Sequence, residues 1–113
     1  MLGSVLEIRT VDDGTVVVHP HGVAGVDRAD EFRQALVRLL RRVRPLRLIV
    51  DLSDVSELDA IDLGSVAAAC DLGEDHQVPV FVRSPNGAVT ERLTAAGVPR
   101  QRVNPCVTSP GGP

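Results

Sequence analysis

The stretch LRLIVDLSDVSELDAIDLG, Leu46–Gly64, decides how this chain is read. Its first seven residues are mostly apolar at successive positions, with Ile49 and Val50 β-branched, the pattern of a strand covered on both faces in a parallel sheet. Its last seven, LDAIDLG, hold two carboxylates, Asp59 and Asp62, at the seam between that strand and a following helix. Asp59 is placed to cap the helix, and Asp62, at the third helical position, to complement its dipole in an approximate capping box. A central strand followed by a capped helix is the unit of an α/β fold.

Working outward, Phe32, Leu36, Leu39, Leu40 and Val43 recur at helical spacing from Asp27, with arginines on the other face and Pro45 as the stop. Upstream, SVLEIRTVDDGTVVVHP places Asp12-Asp13-Gly14 between two apolar runs, a hairpin signal joining strands near 4–10 and 15–19. Downstream, a helix over 60–74 turns Leu63, Val66, Ala67 and Cys70 inward. VPVFVR reads as another buried strand, and Asn86 begins a third helix that Gly97 ends. RVN adds a short last strand. The expectation is a mixed sheet of four to five strands, antiparallel in its first pair and parallel thereafter, with three to four helices. Residues 1–105 form one domain and 106–113 a flexible tail.

Composition narrows the function. With 113 residues the chain has room for one domain, and only Phe32 and Phe81 are aromatic, so stacking platforms for single-stranded nucleic acid are missing. The formal net charge of -3 gives no reason to expect direct nucleic-acid binding. Arg38, Arg41, Arg42, Arg44 and Arg47 read as a solvated helix face and its exit. Cys70 and Cys106 lack metal-type spacing and are read as free thiols, and no apolar run is long enough to span a membrane. A cytoplasmic location is expected.

Catalytic signatures are equally sparse. The sequence contains no P-loop, GxSxG elbow, CxxC, HExxH or dinucleotide fingerprint. His19, His21 and His76 pair in sequence with no plausible nucleophile. Asp59 and Asp62 fall short of the several oxygen ligands a hard cation gathers, so neither a metal nor a cofactor is expected there. A helix N-terminus at the carboxyl end of parallel strands is nevertheless where α/β folds place ligands and added phosphates.

From these residues a resemblance emerges. VVVHPHGVAGVDRADEFRQALVRLL, LRLIVDLSDVSELDAIDLGSVAAA and VPVFVRSPNGAVTERLTAAGV together resemble the STAS domain of bacterial anti-sigma factor antagonists, over roughly residues 5 to 103. The resemblance implies a non-enzymatic switch working by partner exchange. In the family, the unphosphorylated antagonist binds an anti-sigma factor, often a histidine-kinase-like ATPase, and so frees a sigma factor for transcription. Phosphorylation of the second serine in an Asp-Ser-Ser-Gly motif at the helix start ends that binding, because phosphate brings about -1.5 to -2 charge to the docking surface.

Carried over residue by residue, the motif is kept in part. Leu58, Asp59, Leu63 and Gly64 match it; Ala60 stands at the first serine, Ile61 at the phosphorylated serine and Asp62 at the glycine. Ile61 cannot accept phosphate. Upstream, Gly22-Val23-Ala24-Gly25 replaces the usual Gly-Glu-Leu-Asp, removing the acidic neighbour of the phosphosite. The expected docking set is Gly22, Val23, Gly25, Asp59, Ala60, Ile61, Asp62, Leu63 and Gly64, with Asp62 able to supply part of a phosphate's charge. Ser53, Ser56 and Ser65 are the nearby hydroxyls, each read as turn or helix surface. Two alternatives stay open: a STAS subunit of a lipid-transport ABC system, and a nucleotide-binding STAS module, although no phosphate-cradling loop is present. Val23, Val26 and Ile61 would also add apolar surface for a homodimer.

Overall fold

The computed structural model describes residues 6–11, 13–21, 26–55 and 58–105. In chain order these form β1 (Leu6–Thr10), β2 (Thr15–Pro20), α1 (Val26–Arg38), β3 (Arg47–Asp51), α2 (Ala60–Asp75), β4 (Val80–Ser84), α3 (Gly87–Ala95) and β5 (Val103–Pro105). The sheet runs β1-β2-β3-β4-β5, antiparallel between β1 and β2 and parallel elsewhere. This is the expected mixed sheet, with LRLIVDL supplying its central strand.

Local chemistry explains the main boundaries. At the hairpin, Gly14 adopts φ +85°, Thr15 N donates to Asp13 Oδ1 at 3.2 Å, and Val11 N donates to Thr15 O at 2.8 Å. Arg47 Nη1 reaches both Asp13 Oδ2 and Thr15 Oγ1 at 3.2 Å, tying the turn to the start of β3. Asn86 caps α3 by accepting from Val89 N at 2.9 Å, and Gly97, at φ +112°, takes the left-handed turn after it.

Strand order equals chain order. Each right-handed crossover therefore steps the same way, and all three helices fall on one face of the sheet. Val16, Val18, Leu48, Val50, Val80 and Val82 share that face by register and are at most 4% exposed. Phe32, Leu36 and Leu40 of α1 and its extension, Val66 and Cys70 of α2, and Leu93 of α3 close the core over them.

Among the described residues, no helix covers the opposite face, although Val17 there is buried. The sequence pattern covers β3 on both sides, but Ile49 and Phe81 are only half-buried among exposed Arg9, Arg47, Arg83 and Asn104. Arg102 lies over the Phe81 ring, with its guanidinium carbon 5.0 Å from the centroid. Periodicity alone does not distinguish a strand buried by two layers of helices from one whose far face is screened by long arginine stems.

A second departure lies after α1. Residues Leu39–Val43 form a π-helical turn, closed by Arg44 N donating to Leu39 O at 2.7 Å with Arg44 at φ +51°. The wider turn carries one extra residue per hydrogen-bonded ring. It rotates Val43 away from the apolar face assigned to it, leaving that side chain 54% exposed while Leu39 and Leu40 remain buried.

Candidate functional site

The loop from β3 to α2 is held from below by one carboxylate. Asp51 Oδ1 accepts from Ser53 N at 3.0 Å and from Ser53 Oγ at 2.7 Å, while Arg83 Nη1 of β4 lies 3.4 Å from Asp51 Oδ2. Burial, the largest single influence, pushes the Asp51 carboxyl up; the two hydrogen bonds from Ser53 and the attraction of the Arg83 guanidinium pull it down and together leave it below the ordinary carboxylate value. Leu52 N continues the ladder to Arg83 O at 3.0 Å, and Leu52 and Leu58 are buried at either end of the loop.

At the far end of the loop Asp59 caps α2, with Oδ1 accepting from Asp62 N at 3.0 Å and its carbonyl accepting from Leu63 N at 3.0 Å. The cap read from LDAIDLG is thus present. It fixes the first turn so that Ile61, 59% exposed, stands outward. Asp62 is 1% exposed and Leu63 is 8% exposed, so both face inward. The suggestion that Asp62 offers a phosphate-like charge to a partner therefore fails on burial: the carboxylate sits beneath the helix rather than on it. Any part that Asp62 and Leu63 take in docking runs through the helix they anchor.

The outward side of α2 is unusual for a surface helix. Where polar residues are the norm, it carries Ala60, Ile61, Gly64 and Ala68, all exposed. Between it and α1 runs an open apolar groove of about 260 Å³, lined by Ile61, Gly64 and Ala68 from α2 and by Leu36, Val37 and Arg33 from α1. Ser65 is 8% exposed and so offers no free hydroxyl here. Ser53 is engaged with Asp51. Gly22, Val23, Gly25, Ser56 and Cys106 lie outside the described residues. The structure thus brings Asp59, Ala60, Ile61 and Gly64 together at one surface.

Sequence reasoning missed a second cluster. His19 and His21, set aside as an unpaired couple at a strand end, meet Glu7 of β1 and Asp54 of the β3–α2 loop. The signal available was the His-Pro-His spacing on a strand, which puts both rings on one face. What completes the cluster is strand register, with Glu7 paired to His19, and a loop distant in sequence.

The STAS domain model matches residues 8–105, so the chain belongs to the STAS domain family. Among solved structures, Bacillus SpoIIAA in its phosphorylated form is similar at TM-score 0.75 and 14% identity, over 91% of this chain and 92% of that one. Moorella thermoacetica RsbS is similar at TM-score 0.74 and 20% identity, over 94% and 89%. An anti-sigma factor antagonist from Mycobacterium paratuberculosis is similar at TM-score 0.70 and 23% identity, over 88% and 83%. No curated protein sequence matches the chain.

Proposed function

We propose that this chain is a binding protein of the anti-sigma factor antagonist kind, acting in the cytoplasm. It docks an anti-sigma factor through the first turns of α2, and it is not switched by phosphate at the usual position. The observation that carries the proposal is the apolar outward face of α2, with Ile61 59% exposed where the family places its phosphoacceptor. Its place at the carboxyl end of the parallel strands is where α/β folds present ligand surfaces. An aliphatic side chain there contributes contact area in place of a switchable hydroxyl. Gly22, Val23 and Gly25 belong to the same proposed surface.

The test uses an anti-sigma factor that captures the wild-type chain, immobilised and titrated with wild type and Ile61→Asp. Covering the exposed part of one isoleucine is worth roughly 1–2 kcal/mol. The variant should therefore bind at least about ten-fold more weakly while keeping its circular dichroism spectrum. Unchanged affinity would remove Ile61 from the interface. Incubation with ATP and the partner, followed by intact mass, should add no phosphate within residues 56–65; stoichiometric phosphate there would overturn the unswitched reading.

A further inference from the structure

Outside the proposed docking face, the strongest concentration of chemistry lies at the end of β2. One nitrogen from each of His19 and His21 and one oxygen of Glu7 fall within 4.8 Å of one another. Glu7 Oε1 is 3.2 Å from His21 Nε2 and 3.9 Å from His19 Nδ1. On the other side of the rings, Asp54 Oδ2 lies 3.0 Å from His19 Nε2 and 3.8 Å from His21 Nδ1.

The geometry points to a binding site for a borderline divalent transition metal ion of the zinc type, with His19 Nδ1, His21 Nε2 and Glu7 Oε1 as ligands. Imidazole and carboxylate are the donors such ions select. Metal bonds near 2.0–2.1 Å in a tetrahedron place donor atoms about 3.3–3.4 Å apart, a spacing that the distances from Glu7 bracket. Small side-chain rotations close the set, and solvent takes the fourth position.

Three features preorganise the site. His19 and His21 are two residues apart on one strand and project to the same side, with ring centroids 4.5 Å apart and planes tilted by 38°. Buried Pro20 between them has a fixed φ, so the backbone that spaces the rings has little freedom to lose. Glu7 is the register partner of His19 across the antiparallel pair. A bound ion would bridge the β1–β2 pair.

The test is titration of tag-free, chelator-treated protein with Zn²⁺ by calorimetry and with Co²⁺ by visible absorption. One ion per chain should bind, with a cobalt spectrum of low coordination number and a raised melting temperature. His19→Ala and Glu7→Gln should each weaken binding by about 100-fold or more. His76→Ala, at the third histidine, should leave affinity unchanged. Absence of binding below millimolar Zn²⁺ would overturn the inference and leave the four residues as histidine–carboxylate pairs. Binding that His19→Ala and Glu7→Gln do not alter would place the ion elsewhere and overturn it equally. Partner affinity of the metal-free protein is a separate readout, so failure of this site and failure of the docking proposal are distinguishable.

Discussion

Two glycines in α2 have opposite reasons for being glycine, and substituting each by alanine separates them. Gly73 is buried near the helix end, where a Cβ would lie 2.4 Å from the Val78 carbonyl oxygen and 2.7 Å from Val80 Cγ2. The first of these is backbone, held by Val78 N donating to Gly73 O at 2.8 Å, and the second belongs to a packed core strand. Neither can yield cheaply. Alanine gains about 1 kcal/mol of helix propensity, but forced overpacking costs about 1–3 kcal/mol, and a clash with backbone belongs at the upper end. The net for Gly73→Ala is a loss of about 2 kcal/mol. At Gly64 no atom lies within 4 Å of the built Cβ, so Gly64→Ala should realise the propensity gain of about 1 kcal/mol. With an m value near 1.5 kcal/mol/M, urea midpoints of the two variants should differ by about 2 M. A Gly73→Ala midpoint at or above wild type would refute the packing argument. Gly64→Ala carries a second expectation: more stable, yet weaker toward the anti-sigma factor, because the methyl group stands on the face proposed to receive it.

Other consequences are open to measurement. Asp59→Ala removes the α2 cap and should lower stability by about 1 kcal/mol in urea unfolding, with partner affinity falling as the first turn frays. The Cys70 thiol is pushed up to about 11, first by burial and then by Asp71 and Glu74. Its peptide should stay unmodified by iodoacetamide at pH 8 in the folded protein and be modified in urea; rapid native labelling would contradict its burial. The folded Asp51 carboxyl sits below its unfolded value, so its stabilising contribution is present at neutral pH and is lost as pH falls through the folded value. The stability gap between wild type and Asp51→Asn should accordingly narrow below about pH 4, and a gap independent of pH would show that the Ser53 contacts act without charge.

Local signals in the sequence were strong wherever one or two residues decide the backbone. Asp13-Gly14 marks the hairpin, Asp59 and Asn86 mark helix starts, and the apolar run from Leu48 marks the central strand; each appears where its chemistry places it. Features that depend on distant parts of the chain were not legible. Val43 fits the helical pattern, yet it ends a π turn and stands exposed. Asp62 is a plausible surface acid by type, but the pitch of a helix whose outward side is Ile61 and Gly64 turns it inside. The cluster of Glu7, His19, His21 and Asp54 requires both the antiparallel register and the β3–α2 loop, neither of which local spacing encodes. The proposed docking surface was half-visible: the family resemblance points to Ile61, whereas the apolar groove against α1 exists only once the two helices are packed.

The two ends of the sheet bear on how the protein behaves at high concentration. A five-stranded sheet has two edge strands, β1 and β5, at which it could lengthen by recruiting a strand from another copy. At one end, β1 carries the exposed charges of Glu7 and Arg9, which a second strand would have to accommodate. At the other, β5 spans only Val103–Pro105 and finishes on a residue with no amide hydrogen to donate. Growth by strand addition meets charge on one side and a missing donor on the other, so the sheet can remain a discrete particle rather than the seed of a fibre.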